Sequence, residues 1–214
     1  MSVAELTVLF DFKDPGSYLA LAPTRALIET MGLTSHWYPF IGSPMRAPVK
    51  PEAADDRGGW HRFNRATYLA QDLVRYAEAR QLPARHFADG GLYRSTSGEV
   101  AAMGFNWAVG AGPDYAGAYM DRVFEGYWDG DLDLDAVEEV AQVLTESGID
   151  ADGFDGYCQQ IGFEELLAQR QDIGEAGGFA TPSCLLDGEA FVGRQHLPYL
   201  AERIRRLQRE QPGS

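Results

Sequence analysis

The residues best placed to do chemistry stand near the start of the chain, in the run Asp14-Pro15-Gly16-Ser17. Asp is a favoured N-cap and Pro is favoured at the first helical position, so a helix is predicted to start here. A carboxylate at a helix N-terminus is expected to be ionised at neutral pH, with a lowered pKa. The Ser17 hydroxyl follows one turn in. The bland reading of Asp14 is an ordinary cap, and that of Ser17 is a packed side chain. A second candidate is cationic. Arg57, His61 and Arg65 recur at i, i+4 and i+8 and share one helical face, a pattern that suits a carboxylate-bearing ligand or a solvated surface.

Other chemistries fail on spacing. Asp129-Gly-Asp-Leu-Asp-Leu-Asp135 invites a calcium loop. The glycine and terminal glutamate that an EF-hand needs are absent from either possible register. Asp135 with Glu138 reads instead as a cap and its capping box. No His/Cys cluster supports zinc, and there is no phosphate loop or nucleophile elbow. Cys158 and Cys184 form neither C-x-x-C nor a disulfide framework, which fits a reducing compartment.

Composition narrows the partners. The 214 residues carry 32 acids and 18 bases, a net charge of −14. Residues 121–172 hold 15 of the acids and two of the bases, net −13, and the rest is nearly neutral at −1. This argues against nucleic acid, which calls for a basic stripe, and against polybasic membrane attachment. No apolar run is long enough to span a bilayer. The first six residues show neither a basic nor an apolar leader region, so a cytoplasmic location is expected.

Several elements must position these groups. Leu6 to Phe12 is a β-rich apolar run, followed by the helix from Asp14 to about Met31 with Gly32 as its stop and Pro23 inside. Ser35 to Phe40 reads as a second strand. Residues 43–59, rich in Pro and Gly, read as a loop. Helices are predicted at about 60–81, 97–109, 114–127, 135–147, 152–159 and 161–176. Ser183–Leu186 and Ala190–Val192 flank Asp187-Gly188, a two-residue hairpin turn, and a helix over 196–209 ends the chain. The order is β-α-β, a helical block, then α-β-β-α. That is an α/β, thioredoxin-like fold with an inserted all-helical domain. The expected division is 1–45 plus 172–210 for the thioredoxin-like part and 46–171 for the insertion.

Two segments carry a family resemblance. Phe10-Asp-Phe-Lys-Asp-Pro-Gly-Ser-Tyr-Leu-Ala20 resembles the opening of the 2-hydroxychromene-2-carboxylate isomerases and kappa-class glutathione transferases, in the DsbA-like branch of the thioredoxin superfamily. Gly178 to Gly193 resembles their second half, and Tyr68-Leu-Ala-Gln-Asp-Leu73 is a weaker match. The resemblance implies a cis peptide bond at Thr181-Pro182, with the backbone before the proline as a docking edge. It implies that Asp14 stands where the family has a serine that donates to glutathione sulfur. A carboxylate opposes a thiolate at that point, but could act as a general base on a conjugated substrate. Arg65 matches a lysine that resembles a ligand contact. Gln195 and His196 stand where glutathione-using relatives have an acid and an arginine, so glutathione as a ligand is disfavoured. Without C-x-x-C, thiol-disulfide exchange at the first helix lacks its attacking thiolate. The resemblance implies an isomerase-like enzyme, with a glutathione-dependent transferase or a non-catalytic binding protein as alternatives, and a homodimer.

Overall fold

In the computed structural model, residues 5–53 and 56–210 are described. The first four residues, read above for a leader, and positions 54–55 of the loop lie outside them. The sheet has four strands: β1 (Glu5–Phe10), β2 (Thr34–Pro39), β3 (Ser183–Leu186) and β4 (Glu189–Val192), in the order β2-β1-β3-β4. β1 runs parallel to β2 and antiparallel to β3, and β3 pairs antiparallel with β4. Helix α1 (Pro15–Met31) is the crossover between the parallel pair. Gly32 takes the left-handed conformation that ends it, at φ 61°. The β3–β4 turn has positive φ at both Asp187 (50°) and Gly188 (75°), the requirement of a type I′ hairpin. This is the thioredoxin-like fold expected from the sequence.

Between β2 and β3 lie α2 (Arg57–Ala79), α3 (Glu99–Ala111), α4 (Pro113–Trp128), α5 (Val137–Glu146), α6 (Phe154–Tyr157) and α7 (Phe163–Glu175). The last helix, α8 (Leu197–Glu210), packs on the sheet. Sequence periodicity missed three short 3-10 turns, at Arg85–Phe87, Gly91–Tyr93 and Arg194–His196. It also missed a π-helical turn, Cys158–Gly162, that joins α6 to α7.

The apolar core divides by the sheet. Leu6 and Val8 of β1, Cys184 and Leu186 of β3, and Leu200 and Ile204 of α8 form one cluster. Leu9, Phe40, Ile173 and Leu185 form another. Phe10 and Phe12 leave the strand end and enter the largest cluster, among Phe105 and Phe124 of the helical block. The buried Trp128 indole N–H donates to the Phe12 carbonyl at 3.0 Å. Helical block and strand end are thus locked together two residues before Asp14.

One capping expectation is corrected. Asp135 does not cap the helix that follows it, since α5 starts at Val137 with Ala136 as its cap residue. Its carboxylate instead accepts four bonds at the start of α3: from the Thr96 hydroxyl (2.7 Å), the Ser97 N–H (2.8 Å), the Ser97 hydroxyl (2.6 Å) and the Gly98 N–H (2.8 Å). Gly98 has φ 73° and no side chain to serve as a cap; the first helical N–H, that of Glu99, donates to the Ser97 hydroxyl at 3.1 Å, and the Asp135 carboxylate in turn holds Ser97.

Candidate functional site

The site is built where the end of β1, the start of α1 and the loop before β3 meet. Asp14 is the N-cap of α1. Its Oδ1 accepts from Gly16 N–H at 3.0 Å, and its Oδ2 from Ser17 N–H at 3.0 Å and the Ser17 hydroxyl at 2.7 Å. The Ser17 oxygen in turn accepts from the Asp11 N–H at 3.1 Å. Ser17 is buried. Its hydroxyl is thus committed between two chain segments and holds the Asp14 carboxylate in place.

The Thr181-Pro182 bond is cis, as the resemblance implies. A Cβ built on Gly16 would stand 3.1 Å from Pro182 Cδ and 3.2 Å from Asp14 Oδ1. The proline ring therefore rests close on the first turn of α1, where a side chain at position 16 would crowd it. Pro182 is held by its carbonyl, which accepts from Gly193 N–H at 2.7 Å. The main-chain N–H and C=O of Thr181 make no hydrogen bond among the described residues.

A cavity of about 310 Å³ opens at this junction. Asp14, Thr181, Pro182 and Gln195 line it, together with Asp11 and Lys13. Three candidates are not in the lining: the buried Ser17, Arg65 and His196. Arg65 is exposed on α2 and is not a lining residue; the cations in the wall are Lys13 and Arg194. Arg194 is fixed by an ion pair to Asp72 at 3.1 Å and by stacking 3.9 Å from the Tyr76 ring centroid. His196 also stays outside the lining. Its Nδ1 is bonded to the Val192 carbonyl, at the entry to α8.

The electrostatics correct the expectation for Asp14. Its carboxyl is not lowered by the helix start but raised to about 6. Loss of solvent is the largest cause; the bond from Ser17 pulls the other way, and the nearby Asp11 carboxylate pushes further up. Asp11 is itself raised by burial, an effect opposed by Lys13. The Lys13–Asp11 pair is buried, with Nζ 2.6 Å from Oδ2 and each side chain 3 % exposed. Oδ2 also accepts from Gly42 N–H at 2.8 Å.

Sequence reasoning overlooked Asp11, Lys13 and Arg194 as site residues. A signal for the first two existed: charged residues alternating with Phe10 and Phe12 at the end of a buried strand. Charge has no reason to be there unless it is paired or functional. No group of acids, His and Cys able to hold a metal occurs among the described residues, and none of their helices is long and apolar enough to cross a membrane.

The β2-β1-β3-β4 sheet with its helical insertion, and a helix start meeting a cis-proline loop at one cavity, define a DsbA-like thioredoxin domain, and the sequence agrees. The profile of the DSBA-like thioredoxin domain family matches residues 5–205, and the chain belongs to that family. No curated protein matches it. Among solved structures, a 2-hydroxychromene-2-carboxylate isomerase superposes with a TM-score of 0.70 at 22 % identity, covering 97 % of each chain. A probable DsbA oxidoreductase from Streptomyces coelicolor gives 0.73 at 16 %, covering 99 % of this chain and 92 % of the other. A cytosolic disulfide reductase from Pseudomonas aeruginosa gives 0.61 at 16 %, covering 97 % and 98 %. At such identities these likenesses establish the fold alone.

Proposed function

We propose that this protein is an isomerase acting on a small, conjugated aromatic carboxylate, with Asp14 as its general base. The observation that carries the reading is the Asp14 carboxyl itself. It lines the cavity beside Pro182 with a pKa of about 6, and no cysteine shares that wall. A base poised near the operating pH is what proton shuffling needs. Arg194 supplies the pairing charge for the substrate carboxylate.

The substrate named for one structural neighbour, 2-hydroxychromene-2-carboxylate, shows how the step balances. Asp14 takes the proton of the 2-hydroxyl. The oxygen's electron pair forms the carbonyl, the bond from C2 to the ring oxygen breaks, and that oxygen leaves as a phenolate. Asp14, now the acid, returns the proton to it. Nothing is oxidised or reduced. The test is turnover of 2-hydroxychromene-2-carboxylate followed by ultraviolet absorbance, in the wild type and in Asp14→Asn. Asn still caps a helix, so a fall of about 10²–10⁴-fold supports the base and unchanged turnover removes it.

One observation favours a second reading, a glutathione-dependent enzyme. The unpaired main chain of Thr181 in the cavity wall offers an edge to a peptide-like ligand. Against it stand the Asp14 charge, which opposes a thiolate, and neutral Gln195. Thermal unfolding with millimolar glutathione separates the readings, since a ligand of the native state must raise Tm.

A further inference from the structure

We propose that Lys13 is a catalytic residue of this site: its ammonium receives the oxygen on which negative charge develops. The inference rests on the reading above in taking Asp14 as the base, and adds the electrophile that such a base needs.

The argument starts from burial. The Lys13 side chain is 3 % exposed, yet the residue lines the cavity shared with Asp14. An ammonium has three donors. One goes to Asp11 Oδ2 at 2.6 Å, and Nζ makes no second hydrogen bond among the described residues. Two donors of a buried cation are therefore free for a ligand. The carboxylate that neutralises it is immobilised. Asp11 Oδ2 also takes Gly42 N–H, and its Oδ1 accepts the Lys13 N–H at 3.2 Å. Asp11 thus holds the ammonium in place without exhausting its donors. A pair that served the fold alone could be replaced by apolar side chains at little cost.

The charges fit the chemistry. Asp11 lies close enough to raise Asp14, and Asp11, Lys13 and Asp14 line the same cavity. When Asp14 accepts a proton, its negative charge is transferred to the departing phenolate oxygen. A fixed ammonium in a site of low dielectric stabilises that oxygen without having to reorganise. Asp14 and Lys13 then divide the labour: one handles the proton, the other the electron pair.

The test uses 4-nitrophenolate, which mimics the leaving oxygen and whose visible band separates it from the neutral phenol. Removing Lys13 alone would strand a buried Asp11 carboxylate, so the main variant is the double D11N/K13M, checked for folding by circular dichroism. With wild type, bound nitrophenol is expected to ionise at lower pH than with the double variant. Phenolate affinity should fall about tenfold or more in D11N/K13M and be largely kept in Lys13→Arg. Equal phenolate affinity in wild type and the folded double variant overturns the proposal, as does failure of wild type to bind phenolate at all. Loss of turnover in Asp14→Asn with Lys13-independent phenolate binding sinks this inference and leaves the base standing. Lys13-dependent phenolate binding in a protein that does not turn over 2-hydroxychromene-2-carboxylate keeps the oxyanion site and removes the isomerase reading.

Discussion

Among the aspartates near helix starts in this molecule, Asp14 and Asp135 hold their protons in opposite ways. At the start of α3, burial pulls the Asp135 carboxyl upward, but the Ser97 and Thr96 hydroxyls and two backbone N–H groups outweigh it, so its pKa is lowered. At the start of α1, the Asp14 carboxyl is raised to about 6. Asp135 accepts four bonds and Asp14 three. The larger difference is environment. Asp14 has lost more solvent and has the Asp11 carboxylate beside it. A helix N-terminus therefore does not by itself make a strong acid. Desolvation and a like charge decide whether a cap becomes a base.

That contrast can be broken or sharpened by experiment. The largest expected effect is kinetic: Asp14→Asn lowers turnover by about 10²–10⁴-fold, while Asp135→Asn leaves turnover near wild type, read by steady-state rates. Next is stability. Asp135→Ala strands the donors at the start of α3 and is expected to cost about 2 kcal/mol in denaturant unfolding.

Third is pH. A raised pKa means the native state holds the Asp14 proton more tightly than the unfolded chain. Stability from this group is full below about 4 and is lost as pH rises toward 6, by about 1–2 kcal/mol at a half-buried site. Asp135 has the opposite sign: its contribution is present above about 4 and is lost as pH falls below it. Unfolding of wild type, Asp14→Asn and Asp135→Asn between pH 3 and 7 should show opposite slopes for the two differences. Equal slopes would erase the contrast. The smallest effect belongs to Arg65. Arg65→Ala should change stability by less than about 0.5 kcal/mol and leave KM alone, whereas Arg194→Ala should raise KM.

The fold was legible because its punctuation is local. Gly32, the Asp187-Gly188 turn and the Asp14-Pro15 start each depend on neighbouring residues, and each stands where the sequence implies. The site was legible only in part. Asp14 is marked by its own helix-start signal and Pro182 by a resemblance, but the arginine that lines the cavity is Arg194 rather than Arg65, because the short turn after β4, not helical periodicity, decides which arginine turns inward. The same limit applies to Asp135. Its capping box was read within one segment, whereas its partners lie 37 to 39 positions earlier. The raised pKa of Asp14 was invisible for a related reason: solvent loss is a property of everything packed around a group, not of the turn that holds it.

The hydrogen bond from Trp128 to the Phe12 carbonyl has an optical consequence. This indole is fully buried, edge-on to Phe87 at 4.9 Å, and tied by its N–H to the backbone that leads into Asp14. Its ultraviolet emission should be blue-shifted relative to a solvated tryptophan. It should redden as soon as the helical block loosens its hold on that segment, even while the sheet stays intact. The protein thus carries its own dye at the seam between scaffold and site.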